Sequence, residues 1–306
     1  MAKAQSQATI LSKPNLSRLQ DIRQTKEYAC FMRQIGWQVE KINHSTIKRF
    51  DNKVIYAYIK RLPCLPFSIL KILRYQKLDQ NKLIQVIKKH RAVIIKKEPF
   101  LIRKQKQNST YFKVLPGNKW PLTPTKTLWL DLRQSSKQLL ANLKPKTRYN
   151  LKKALKNNLQ VKIISGEKIT EKQLQQFYDL WSTNKPHNFL FRPHFNELKS
   201  LIQSFAKKCF FVFSQSSSTR SPLLLAACLV LTSENMAFYW HNASNKQGKK
   251  LFAPTLCIWK AITESKQKKL NIFDFEGVWD ERFPYLNKGW KGFTKFKNGF
   301  VNPAKL

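Results

Sequence analysis

The chain has 306 residues, 42% of them hydrophobic and 12% aromatic, and its 57 Lys/Arg against 17 Asp/Glu give a formal net charge of +40. Length and apolar content exclude a disordered or disulfide-stapled miniprotein and predict two packed domains. Cys30, Cys64, Cys209, Cys228 and Cys257 are scattered, odd in number and never in CxxC spacing. They predict neither a disulfide framework nor a zinc site, and no stretch approaches the roughly 18 apolar residues of a membrane span, so a cytoplasmic protein is expected.

The charge implies a polyanionic partner: RNA, DNA or an anionic membrane surface. Residues 1–150 carry 32 Lys/Arg against 7 Asp/Glu, and residues 151–306 carry 25 against 10. Lysine greatly outnumbers arginine amid many Asn and Ile, a pattern that AT-rich coding also produces without any such partner.

In the first half, Tyr28, Phe31, Met32 and Ile35 recur at helical spacing up to Gly36. Residues 39–42 and 54–59 alternate like strands, and the prolines at 63 and 66 mark a rigid turn. Residues 69–75 and 82–89 read as helices. Residues 92–99 read as a buried strand in which Glu98, placed before Pro99, is held extended. A loop-rich stretch with Pro116, Gly117, Pro121 and Pro124 leads to a strand over 127–133, and Ser135 or Ser136 can cap the helix that follows.

From Lys144, a helix places Leu151, Ala154, Leu155 and Leu159 on one face and Lys152, Lys153 and Lys156 on the other. It opens with Lys146 and Arg148, candidate phosphate contacts at an amino end whose N–H groups already favour anions; a merely solvated face is the plainer reading. The second half reads as strand 161–165, helices 171–182 and 195–207, strands 210–214, 223–231 and 236–241, helix 252–268 and strand 271–275. This predicts an α/β domain with a mixed sheet. The last thirty residues mix acids, aromatics and lysines densely. There Phe293, Phe296 and Phe300 alternate with Lys291, Lys295 and Lys297, which we read as an extended segment.

With these residues placed, the chain resembles the Fem family of peptidoglycan-bridge aminoacyltransferases from about residue 25 to residue 301. Thr147-Arg-Tyr-Asn-Leu-Lys-Lys-Ala154 is similar to the family's TRYNIRKA helix start, and Tyr239-Trp-His-Asn-Ala-Ser244 to its Y-x-Y-x-A/G-S strand. Phe273-Asp-Phe-Glu-Gly-Val278 resembles YDFGGI, and Phe296-Lys297 with Phe300 resembles FK-x-x-F. Glu98-Pro99, Trp37 with Lys41, and Arg192-Pro193 match further elements in the family's order. Two features depart from the family: relatives continue past the Phe-Lys element, and the coiled-coil arm of some members has no counterpart.

The resemblance implies an α/β fold of two tandem GNAT-like domains with mixed sheets, which we divide as 1–143 and 144–306. It implies transfer of an amino acid from aminoacyl-tRNA, with no other cofactor, to the stem-peptide amine of UDP-MurNAc-peptide or lipid II. Such a protein would be a monomer in the cytoplasm or at the inner face of the cell membrane. By the same carry-over Lys41 and Arg192 would contact acceptor phosphates, Tyr239 and His241 would line the substrate site, and Phe296 and Lys297 would serve transfer.

An aminoacyl ester is already activated, so its aminolysis needs alignment, a deprotonated amine and a stabilised oxyanion rather than a metal. Lys297 is the candidate cation, with Glu98 and Asp274 the candidate proton acceptors; acids at strand ends also commonly tie down a loop. His44, His90, His187, His194 and His241 show no metal-binding spacing, and His241 also reads as packed within its strand. A CoA-dependent N-acyltransferase is the alternative enzyme, although Asn245-Lys-Gln-Gly-Lys-Lys-Leu251 has one glycine where GNAT pyrophosphate loops have two. A non-catalytic RNA-binding or degenerate member of the same family is the alternative outside enzymes.

Overall fold

A computed structural model describes residues 19–42, 54–106, 108–183, 194–217 and 222–301. Two sheets organise the chain. The smaller has strand order β1 (Gln38–Ile42), β2 (Ile55–Arg61), β3 (Ser68–Tyr75) and β4 (Ala92–Pro99). All its pairs are antiparallel except β3 with β4, which are joined through helix α2 (Gln80–Lys89) and run parallel. Asp79 caps α2 by accepting from the backbone N–H groups of Asn81 and Lys82. Helix α1 (Lys26–Gln34) begins at Thr25, whose hydroxyl accepts from Tyr28 N. It is followed by Gly36 at φ +81°, a left-handed turn that glycine adopts without steric cost.

The larger sheet has eight strands. Its first three are β5 (Ile102–Lys106), β6 (Ser109–Phe112) and β7 (Lys126–Asp131). The others are β8 (Gln160–Ser165), β9 (Cys209–Gln215), β10 (Leu224–Thr232), β11 (Met236–Ser244) and β12 (Ile272–Gly277). In space the order is β5-β6-β7-β12-β11-β10-β9-β8. Again one pair, β11 with β12, is parallel, and the chain between them forms helices α7 (Lys246–Lys250) and α8 (Ala253–Gln267). Among the described residues the remaining α-helices are α3 (Ser136–Ala141), α4 (Pro145–Lys156), α5 (Glu171–Thr183), α6 (Phe195–Phe205) and α9 (Trp290–Lys297). Ser135 caps α3 in a reciprocal box with Gln138.

Because β5 to β7 belong to the larger sheet, the sheets divide between Pro99 and Ile102, upstream of the 143/144 boundary expected from sequence. Strand alternation assigns side chains to the cores. Ile55, Ala57 and Ile59 of β2 join a small cluster with Leu70, Ile72 and Leu83. Tyr56 and Tyr58 point the other way, into a cluster with Phe177, Phe211 and Phe238 that binds both sheets together. The opposite face of the larger sheet is covered by α8, whose Leu256, Ile258 and Ile262 pack with Phe273 and Phe275.

Three local readings are corrected. Residues 69–75 form a strand, because β3 is hydrogen-bonded on both edges, with Tyr58 opposite Lys71 and Leu70 opposite Ile95; non-local pairing overrides the short helix-like apolar pattern. The loop-rich stretch before residue 126 contains β5 and β6. The terminal segment is the helix α9, not a strand: its aromatics at 290, 293, 296 and 300 are three and four residues apart, which is the helical period.

Candidate active site

Strand β12 carries the site. Its alternation sends Phe273 and Phe275 into the α8-side core, and Asp274 is buried in register with Trp129 of β7 and Phe238 of β11. Asp274 accepts from Thr127 Oγ1, from Trp129 Nε1 at 2.9 Å and from the Glu276 backbone N–H at 2.7 Å. Burial, then the charge of Glu276, pushes its carboxyl up to about 7, against the pull of those donors. The pairing with β7 slips between Asp274 and Gly277, and Glu276 sits there at φ +57°. This bulge re-aims the Glu276 carboxylate toward Arg23.

Arg23 Nη1 lies 3.2 Å from Glu276 Oε1 and 3.1 Å from Asp21 Oδ1, and Nη2 lies 2.8 Å from Glu276 Oε2. Its guanidinium also stands 4.8 Å from the Trp240 ring centroid. Burial weakens the arginine's charge, but Glu276 and then Asp21 more than offset this and hold its pKa above the ordinary value. Arg74 of β3 is 3.9 Å from Asp21 Oδ2, and burial lowers it to about 10. A buried line of charge thus runs from the smaller sheet to β12.

Helix α9 brings Lys297 to the end of β12. The side chain is 6% exposed, its Nζ donates to the Gly277 carbonyl at 2.8 Å, and it lies 5.0 Å and 5.9 Å from the Phe293 and Tyr239 rings. Burial lowers its pKa to about 8, although Glu276 and then Asp274 favour the ammonium. Three contacts fix the helix in place. Thr294 Oγ1 accepts from Trp279 N at 2.8 Å, Phe296 meets Phe300 edge-on at 5.6 Å, and a Cβ on Gly277 would fall 2.3 Å from the Trp290 ring. Lys295, which an extended chain would have put on the same face as Lys297, is exposed instead.

Lys297 and Tyr239 therefore meet, Phe296 packs on the same core through Phe300, and Asp274 is near enough for its charge to favour the Lys297 ammonium; the other expected residues do not join them. Glu98 is buried at the end of β4, where its carboxylate accepts from Leu122 N at 2.5 Å, Thr123 N at 2.9 Å, Thr123 Oγ1 at 2.5 Å and Asn118 Nδ2 at 3.3 Å, tying down the 118–123 loop. Lys41 is exposed on β1 and Lys146 on the first turn of α4. Arg148 Nη2 donates to the carbonyls of Ala141 and Leu143, both at 3.0 Å. His241 stands 4.4 Å from the Trp181 ring. Arg192 lies outside the described residues. Sequence reasoning missed Arg23 and Glu276; the latter sits inside the quoted Phe273–Val278 motif, but no local pattern marks its partner. Among the described residues, no cluster of His, Cys, Asp and Glu could hold a metal ion.

The FemAB family model matches residues 183–304. The crystal structure of FemX has a TM-score of 0.75 to this chain at 13% identity, covering 93% of this chain and 90% of that one. The C-terminal DUF2156 domain of a protein from Agrobacterium fabrum assigned as a lysylphosphatidylglycerol synthetase gives 0.53 at 13% identity, covering 91% and 84%. A conserved protein of unknown function from Bacteroides thetaiotaomicron gives 0.52 at 9% identity, covering 90% and 85%. No curated protein sequence matches the chain. The two mixed sheets, each with one parallel pair closed through helix, agree with the two GNAT-like domains expected. The FemAB pattern thus covers the C-terminal part of the chain, residues 183–304, and the FemX fold nearly its whole length.

Proposed function

We propose that the protein is an aminoacyltransferase that moves an amino acid from aminoacyl-tRNA to the stem-peptide amine of a peptidoglycan precursor, soluble or lipid-linked. The observation that carries this reading is the buried Lys297, directly after Phe296 and inside the segment that matches the FemAB model. In the reaction the amine nitrogen attacks the ester carbonyl, the carbon–oxygen bond to the tRNA ribose breaks, and the amine's proton ends on the ribose hydroxyl. With a pKa of about 8, Lys297 is mainly an ammonium at neutral pH and can stabilise the developing oxyanion. Asp274, pushed up to about 7 and held in place by Thr127, Trp129 and the Glu276 N–H, suits a proton relay near neutral pH, whereas the Glu98 carboxylate holds the 118–123 loop.

The segment around Gly248 favours aminoacyl-tRNA over CoA as donor. Gly248 N is taken by Asn245 Oδ1 at 2.7 Å, and a Cβ on Gly248 would fall 2.1 Å from the Leu225 carbonyl oxygen. This glycine serves close packing, and its amide is already bonded.

The test is incubation of the purified protein with a mixed aminoacyl-tRNA pool and a peptidoglycan precursor, following the precursor's mass. A gain of one aminoacyl residue is expected. Lys297→Met should lower turnover by roughly 10²–10³, and Lys295→Ala should leave it near normal. A mass gain from acyl-CoA instead, or normal turnover in Lys297→Met, would overturn the assignment.

A further inference from the structure

The loop tied by Glu98 and the loop after Asp280 enclose a cleft of about 630 Å³ whose lining includes none of the residues around Lys297. Val114, Leu115, Phe283, Pro284 and Leu286 line its apolar part. Trp120 and Tyr285, 72% and 84% exposed, also line it, and Leu122 on the first loop and Leu101 just before β5 are exposed as well. Lys113 N bonds Leu101 O at 2.8 Å, which joins those segments.

Both loops are pinned from beneath. Glu98 takes the N–H groups of Leu122 and Thr123, and Lys96 Nζ bonds Asn118 Oδ1 at 3.0 Å. Arg282 is gripped by Asp280 at 2.6 Å and donates to the carbonyls of Phe112 and Thr125. The internal bonds thus hold a tryptophan and a tyrosine out in water, at a cost that a partner covering them would recover. Around them stand exposed Arg103, Lys113, Lys119 and Lys288, the last 6.0 Å from the Tyr285 ring. The neighbouring acid, Glu281, is engaged by Lys126 at 2.6 Å and by Tyr111.

We propose that this face docks onto an anionic lipid bilayer, with Trp120 and Tyr285 entering the headgroup boundary and the surrounding lysines meeting lipid phosphates. Amphipathic aromatics beside basic side chains suit that boundary, where one end of each ring is apolar and the other wet. Single-stranded RNA fits less well. The Arg282 guanidinium is consumed internally, which leaves Arg103 and Lys119 as the cations on a cleft lined mostly by apolar side chains, short of the continuous basic track that a phosphate backbone needs. None of these residues belongs to the group around Lys297, so docking and acyl transfer can fail separately.

The experiment is co-sedimentation with vesicles of phosphatidylcholine alone and of phosphatidylcholine with phosphatidylglycerol, at physiological and raised salt. Trp120→Ser/Tyr285→Ser leaves the charge unchanged and should lower partitioning into the anionic vesicles at least about tenfold, leaving only a salt-sensitive residue. Ile84→Ser, at another exposed apolar position, should not. Brominated acyl chains should quench tryptophan fluorescence in the native protein and clearly less in Trp120→Phe, a readout independent of any folding defect in the double variant. Unchanged partitioning, or equal quenching in both proteins, would overturn the proposal. So would loss of binding to a labelled single-stranded RNA with vesicle binding intact, which would assign the cleft to nucleic acid.

Discussion

Arg23 and Glu276 lie 253 positions apart in the chain and meet as a two-point ion pair, with contacts of 3.2 and 2.8 Å. Planar guanidinium matches carboxylate in this fork geometry, which an ammonium cannot reproduce. The pair couples the short turn Ile22–Gln24 to the bulge that ends β12, two residues from Asp274 and one from the carbonyl that Lys297 grips.

Arg23→Met would leave Asp21 and Glu276 buried without their common partner. We expect a loss of about 3–5 kcal/mol in unfolding free energy, measured by urea denaturation. Arg23→Lys should recover only part of it. A loss below about 1 kcal/mol in Arg23→Met would mean that water replaces the arginine at little cost.

Lys297 titrates at about 8 in the folded protein against an ordinary 10.5, because burial penalises its ammonium. Between those values the unfolded chain binds more protons than the native one, so this group makes stability rise with pH across that window. Lys297→Met should therefore show a smaller gain in unfolding free energy from pH 8 to pH 10 than the native protein. Turnover runs the other way. If the ammonium is the working form, kcat falls as pH climbs through about 8, and Lys297→Arg, which keeps its charge, should move that falling limb to higher pH. A limb at the same pH in Lys297→Arg would assign it to another group.

Glu98 is expected to act on its loop rather than on substrate. Glu98→Gln puts an amide donor against the N–H groups of Leu122 and Thr123, and should cost about 1–3 kcal/mol of stability. By thermal or urea unfolding that loss should be plain, while kcat at a permissive temperature stays within a few-fold. A hundredfold drop in kcat with unchanged stability would return Glu98 to the chemistry.

Where a signal lies within a few consecutive residues, the sequence by itself decided the outcome. Thr25 caps α1 through its own hydroxyl, Ser135 and Gln138 satisfy each other's backbone at the start of α3, and the alternation of Tyr56 and Tyr58 with Ile55, Ala57 and Ile59 divides β2 between two cores. The Phe296-Lys297 pair also stands out unaided, because its neighbours quote a family pattern. Tertiary structure alone decided whether residues 69–75 would be helix or strand, since β3 exists only by virtue of partners on both edges. It also separated Lys297 from Lys295: on a helix docked against Gly277, one lysine is driven inside and the other remains in water. The same holds for Glu98, whose acceptors are used by a loop some twenty residues away, and for Arg23 with Glu276. Buried charge must find its counter-charge wherever the fold brings one within about 3 Å, and no local periodicity records that meeting.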